Sequence, residues 1–177
     1  PLPSGSQRAV KEAVDRIRAR LPFPLLGIDS DNDSAFINAN LLRYCQEEGI
    51  TFTRCRPYKK NDQTYVERCW TAVRKLVGYE RYSSPEDQEL LDKIYRDQCL
   101  FVNFFQPVRK LLAKERKGGK TRKVYDVAKT PFQRVLASPH VPTEAKGKLE
   151  QIYQTLNPVE LRIRMERNLE ELRRHHG

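Results

Sequence analysis

The sequence predicts an α/β fold over residues about 6–78, followed by a mainly α-helical region. Three observations carry that prediction. The apolar run Leu25-Leu26-Gly27-Ile28, closed by Asp29-Ser30-Asp31, reads as a short buried strand. Ile50 and Phe52 alternate with Thr51 and Thr53, the period of a second strand. Amphipathic helical runs precede, separate and follow the two, and such alternation is the signature of a parallel α/β layer. Two strands do not make a stable sheet alone, so further strands are expected to complete it.

In chain order, Ala9, Val10, Ala13, Val14, Ile17 and Leu21 recur with helical period over residues 6–21. The first strand follows at 24–30. A second helix is expected at 34–48, carrying Phe36, Ile37, Leu41, Leu42, Tyr44 and Cys45 and stopped by Gly49. After the second strand, Pro57–Gln63 is a polar loop, and an amphipathic run from about 64 to 77 ends at Gly78. Ser84-Pro85-Glu86-Asp87 is a helix start, with Ser at the cap, Pro in the first position and acids in the first turn. That helix runs to about Gln106 with an apolar stripe read as core. Gly118-Gly119 divides the next segment, predicted to be helical before the glycines and looser after them, with a short strand at Lys123-Val124-Tyr125. Two helices close the chain, one after Thr143 and one from Asn157-Pro158. Their stripes suit packing on each other or on a second protomer in a homo-oligomer, and both remain open.

Composition points towards a polyanionic partner. The formal charge is +10, and its distribution is uneven. Between Pro107 and Arg134 there are ten Lys or Arg against two acids, an excess of eight in 28 residues. A solvated face more often mixes its signs, so this concentration favours phosphate binding. Arg116, Lys117, Lys120, Arg122 and Lys123 are its centre. A smaller group, Arg54, Arg56, Lys59 and Lys60, reads either as the lining of a site or as a solvated loop. The four Cys have no metal-ligand spacing with each other or with His, so reduced thiols are expected and zinc is not. No stretch approaches the roughly 18 apolar residues of a membrane span. A cytoplasmic chain with no membrane partner is the expectation.

Asp31, at the end of the first strand, and Glu67, at the start of a helical run, have thirty-five residues between them. A carboxylate at a strand end and another on a nearby helix can converge on hard cations. Around them stand Asp31-Asn32-Asp33-Ser34-Ala35-Phe36 and Arg56-Pro57-Tyr58-Lys59-Lys60-Asn61-Asp62. These resemble the second-acid turn and the loop before the glutamate in the integrase catalytic core of bacterial insertion-sequence transposases. That is the Asp-Asp-Glu group with a ribonuclease H-like fold. The likeness runs on through Phe101–Pro107 and Tyr125–Pro131. The chain departs from the pattern at Asp33, where the family has Gly, at Ala35, and in being one residue shorter after Glu67.

The resemblance implies a partial ribonuclease H-like core and DNA transposition or integration by metal-dependent phosphodiester hydrolysis and strand transfer. Asp31 and Glu67 would be its catalytic and metal-ligating acids, with two Mg²⁺ (or Mn²⁺) ions as cofactors and DNA as partner. The first acid of the family is expected to be absent, since Asp15 and Asp29 do not match its strand context, so a fragment is expected. The segments read as 1–82, partial catalytic core; 83–140, helix plus basic DNA-binding segment; and 141–177, C-terminal helical pair. The rival expectation is a non-catalytic DNA-binding remnant in which the basic segment works and the acids are relics.

Overall fold

A computed structural model describes residues 7–30, 39–56 and 71–176. The chain is a mixed α/β protein, and its described residues are predominantly helical with two small sheets. It divides into two compact units, Pro1–Glu89 with His175–Gly177, and Leu90–Arg174.

The first unit begins with α1 (Gln7–Arg20), whose last turn carries Arg18 and Arg20 against the negative end of the helix dipole. Strand β1 (Gly27–Ser30), helix α2 (Ala39–Glu47) and strand β2 (Thr51–Arg54) follow. The strands pair in parallel, Gly27 opposite Thr51 and Ser30 opposite Arg54, so α2 lies within a β-α-β crossover. Leu41, Tyr44 and Cys45 occupy one face of α2 and join Val10, Val14 and Ile50 in the core. Leu25, Ile28 and Phe52 pack against that cluster. The exit from α2 explains Gly49. Ile50 N–H donates to Cys45 O at 2.8 Å and Gly49 N–H to Gln46 O at 3.3 Å, a Schellman closure that places Gly49 at φ +66. The opposite face of the pair, with Asp29, Thr51 and Thr53, is exposed, and so is Leu26. Strand β1 is therefore not the buried strand expected: the described core packs against one face alone. Parallel sheets are ordinarily covered on both faces, and among the described residues this one has two strands.

Tyr44 also ties α1 to α2. Its hydroxyl donates to Asp15 and accepts from Arg18 Nη1 at 2.7 Å, while Arg18 Nη2 meets Glu48 at 2.8 Å. Residues 71–77 form α3, the described part of the helix predicted from about 64, and Gly78 at φ +81 ends it. Helix α4 (Pro85–Phe105) opens as predicted. Asp87 N–H donates to Ser84 Oγ and Ser84 N–H to Asp87 Oδ2, a reciprocal cap.

In the second unit, Leu90, Leu91 and Ile94 of α4 are buried. The segment expected to be helical before Gly118 is instead strand β3 (Leu111–Lys117), antiparallel to β4 (Lys120–Tyr125). The misreading has a physical source. Leu, Ala, Lys, Glu and Arg are all good helix formers, but Gly118-Gly119 supplies a two-residue hairpin turn, with Gly118 at φ +59. The β-formers Thr121, Val124 and Tyr125 then supply a partner strand. Pairing overrides the local preference.

Helix α5 (Pro131–Ala137) was not among the expected elements. Thr130 caps it in a reciprocal box with Gln133, and Pro131 takes the first turn. Helices α6 (Thr143–Thr155) and α7 (Pro158–Arg174) lie where predicted. Asn157 Oδ1 accepts from Val159 N–H at 2.9 Å at the start of α7. Phe104, Phe132 and Tyr153 bring α4, α5 and α6 together, with ring centroids 5.0 Å apart for Phe104–Phe132 and Phe132–Tyr153.

Candidate nucleic-acid interface

The carboxyl ends of β1 and β2 lie side by side. Ser30 is opposite Arg54, and Cys55 N–H donates to Ser30 O at 3.0 Å. Cys55 is buried, which anchors the chain between the exposed Arg54 and Arg56. Asp31 is the next residue in sequence after Ser30; it lies outside the described residues, as do Lys59, Lys60 and Glu67. Crevices at the carboxyl ends of parallel strands are where open α/β sheets receive ligands. In the described part of this end, two guanidinium groups supply positive charge. Asp29 is engaged at its own site, where its carboxylate accepts from Thr53 Oγ1 at 2.8 Å. Asp15 sits on α1, where its carboxylate accepts from the Tyr44 hydroxyl. Among the described residues no group of three His, Cys, Asp or Glu side chains could hold a metal ion.

The second cationic surface is the β3–β4 hairpin. Arg116, Lys120, Arg122 and Lys123 are all exposed, and Lys117 stands opposite Lys120 in the register. Residues directly opposite in an antiparallel pair share a face. Lys114 with Lys123 and Arg116 with Thr121 therefore form one face, which holds three cations and no carboxylate. Ala113 with Val124, Glu115 with Arg122 and Lys117 with Lys120 form the other, which mixes three cations with one carboxylate.

The base of the hairpin is tied down by residues that charge counting does not reveal. Arg134 of α5 meets Asp126 at 2.6 Å and also donates to Val108 O at 2.8 Å. Asp126 Oδ1 accepts from Lys110 N–H, Asp126 N–H donates back to Lys110 O at 2.9 Å, and Val108 and Lys129 exchange backbone bonds. The Arg134 guanidinium, then the Lys110 amide, hold the Asp126 carboxyl below its ordinary range. Arg134 Nε is buried without a partner, a cost accepted to hold this junction. Asp126 lies within the Tyr125–Pro131 motif, so the signal was present as a motif residue; its role was not.

A third feature had no sequence signal. Arg164 of α7 grips the buried Asp97 of α4 through Nε at 3.0 Å and Nη2 at 2.8 Å. The pair borders an open groove of about 380 Å³ that Lys93, Arg96, Arg167 and Asn168 also line. Sixty-seven residues separate Asp97 from Arg164, and no periodicity links them. Arg164 is thereby held in its charged form, by Asp97 above all.

No helix among the described residues is long and apolar enough to cross a membrane. No protein-family model matches the chain. It is similar to "Uncharacterized protein y4rM" of Sinorhizobium fredii (strain NBRC 101917 / NGR234), with 40% identity over 135 residues, or 76% of this chain. The chain spans 39% of the length of that relative.

Proposed function

We propose that this chain is part of a DNA transposase or integrase that acts by metal-dependent phosphodiester hydrolysis and strand transfer. The observation that carries the reading is the parallel β1–β2 pair, whose adjoining carboxyl ends lead into Asp31 on one side and Arg54-Cys55-Arg56 on the other. The motif resemblance around Asp31 and Glu67 supports it from the sequence side. Both candidate ligands are carboxylates, an all-oxygen donor set that suits Mg²⁺ or Mn²⁺. When bound, such ions activate the attacking oxygen and stabilise the leaving one. Asp31 and Glu67 would hold them, with a further acid of the family supplied from outside residues 1–30. Arg54, Arg56, Lys59 and Lys60 would bind the phosphates that flank the reacting group and hold the duplex in line. A homo-oligomer is part of the proposal, with the helical stripes of α6 and α7 as candidate contacts.

The exposed hairpin favours a second reading, a DNA-binding remnant without chemistry, because its register sets three cations and no carboxylate on one face. One assay separates the two. The complete gene product containing this sequence is incubated with Mg²⁺, a labelled duplex end and plasmid DNA. Covalent joining that Asp31→Asn and Glu67→Gln each abolish, with duplex binding retained, is the expected result. Joining that survives both substitutions refutes the assigned acids. Binding without joining, in a protein that carries all its acids, leaves the remnant.

A further inference from the structure

The β3–β4 hairpin contributes little to the interior of its unit. From Leu111 to Arg116 and from Gly118 to Lys123 every residue described is exposed, so neither face covers a core. A two-stranded hairpin without a covered face is marginal in water, yet this one also sets Lys114 directly opposite Lys123. Like charges opposed across a ladder destabilise it. These residues are therefore arranged against the stability of the hairpin, a conflict that points to function. Meanwhile the base is fixed by the Asp126–Arg134 contact and the Val108–Lys129 bridge, so the ribbon is held at one end and open along its length.

We propose that the hairpin is a cationic ribbon that docks along the major groove of duplex DNA, with the Lys114, Arg116 and Lys123 face turned to the DNA. A two-stranded ribbon fits the B-form major groove, about 12 Å wide. Residues two apart on one strand face recur at about 6.8 Å, roughly two base-pair rises along the duplex axis. The phosphates neutralise the Lys114–Lys123 repulsion, so the charge arrangement that costs stability in the free chain is favourable in the complex. The major groove of A-form RNA is too deep and narrow to admit the ribbon. The Gly118-Gly119 tip has no apolar anchor of the kind a membrane-surface element carries. The inference rests on the DNA-directed reading above for the source of the duplex, but not on any metal or catalytic acid.

The test uses the full chain without Mg²⁺, with fluorescence anisotropy on two DNA duplexes of unrelated sequence across a salt series. Replacing Lys114, Arg116 and Lys123 with Gln is expected to reduce the log–log salt slope by about 2.7, at about 0.9 per phosphate contact. The paired change Glu115→Gln with Arg122→Gln, on the other face, is expected to alter it by less than about one. Lys114→Glu, which turns the repulsive pair into an attractive one, is expected to raise the melting temperature while weakening DNA binding. A merely structural role for Lys114 would move both in the same direction, and that result overturns the proposal. N7-methylation of guanine, which obstructs the major groove, is expected to weaken binding. Equal affinity for duplex RNA, or equal sensitivity of the triple variant on phosphatidylserine vesicles or an acidic peptide, also overturns it. Tight DNA binding with a slope indifferent to the triple substitution defeats the hairpin assignment alone. No duplex binding at low salt defeats the DNA-directed reading as well.

Discussion

Leu41→Ala tests whether the core under the parallel strands is what holds their carboxyl ends together. Leu41 is 2% exposed and belongs to a cluster of six buried residues, against which Ile28 of β1 and Phe52 of β2 pack. Removing a buried leucine to alanine costs about 3 kcal/mol, from lost transfer energy and the cavity left behind. In a unit of this size each kcal/mol moves the melting point by about 4–8 °C, so a drop of about 12–24 °C is expected in its transition. Hydrogen exchange reports the effect by position. The Thr51 amide donates to Leu26 O at 2.9 Å and the Cys55 amide to Ser30 O at 3.0 Å. At about tenfold per 1.4 kcal/mol, their protection is expected to fall by about 100-fold. The Asp126 amide, bonded to Lys110 O in the second unit, is expected to keep its protection. An equal loss at Asp126 would show that the two units open as one. Unchanged protection at Thr51 and Cys55 would show that the α2 core does not support the strands, and the argument for a positioned site beside Ser30 would fail.

Three further outcomes are expected. Mg²⁺ is expected to bind the chain only weakly in titration calorimetry, since Asp31 and Glu67 without a further acid leave the ions to water, and Asp31→Asn is expected to weaken it further; micromolar affinity would refute this. Burial opposes ionisation of Asp87, but hydrogen bonds from Ser84, His175 and His176 outweigh it and lower its carboxyl from 3.8 to about 2. Because the folded value is the lower one, its contribution is present above about pH 4 and lost as pH falls towards 2, so thermal melts of Asp87→Asn should lack that acid-dependent step. A wild-type-like step in the variant would assign the acid sensitivity elsewhere. Gly118→Ala is expected to destabilise the hairpin by about 1–2 kcal/mol, because Gly118 holds φ +59, with faster exchange on β3 and β4 and slower exchange retained in α7.

Elements whose signals are local were legible in the sequence. Ser84-Pro85 and Asn157-Pro158 mark helix starts because their side chains satisfy amides one turn away. Gly49 marks a helix end because its backbone turns left-handed there. Strand β1 was legible from an apolar run and β2 from apolar alternation, though the burial expected of β1 was not, since covering a strand depends on what packs against it. Helix α5 was legible in principle, since Thr130-Pro131 with Gln133 is a capping box, but its seven residues are too few for a periodic stripe. β3 was not legible from composition, because its residues prefer helix and only its pairing with β4 reverses that preference. The candidate interface divides in the same way. The local excess of positive charge was visible in residue order, whereas its separation into a uniformly cationic face and a mixed one depends on which residues stand opposite each other. The Asp126–Arg134 junction and the Asp97–Arg164 pair were decided only by tertiary structure. Charge and capping are properties of neighbours along the chain; a face, a clamp and a strand pairing are properties of residues that only folding brings within reach.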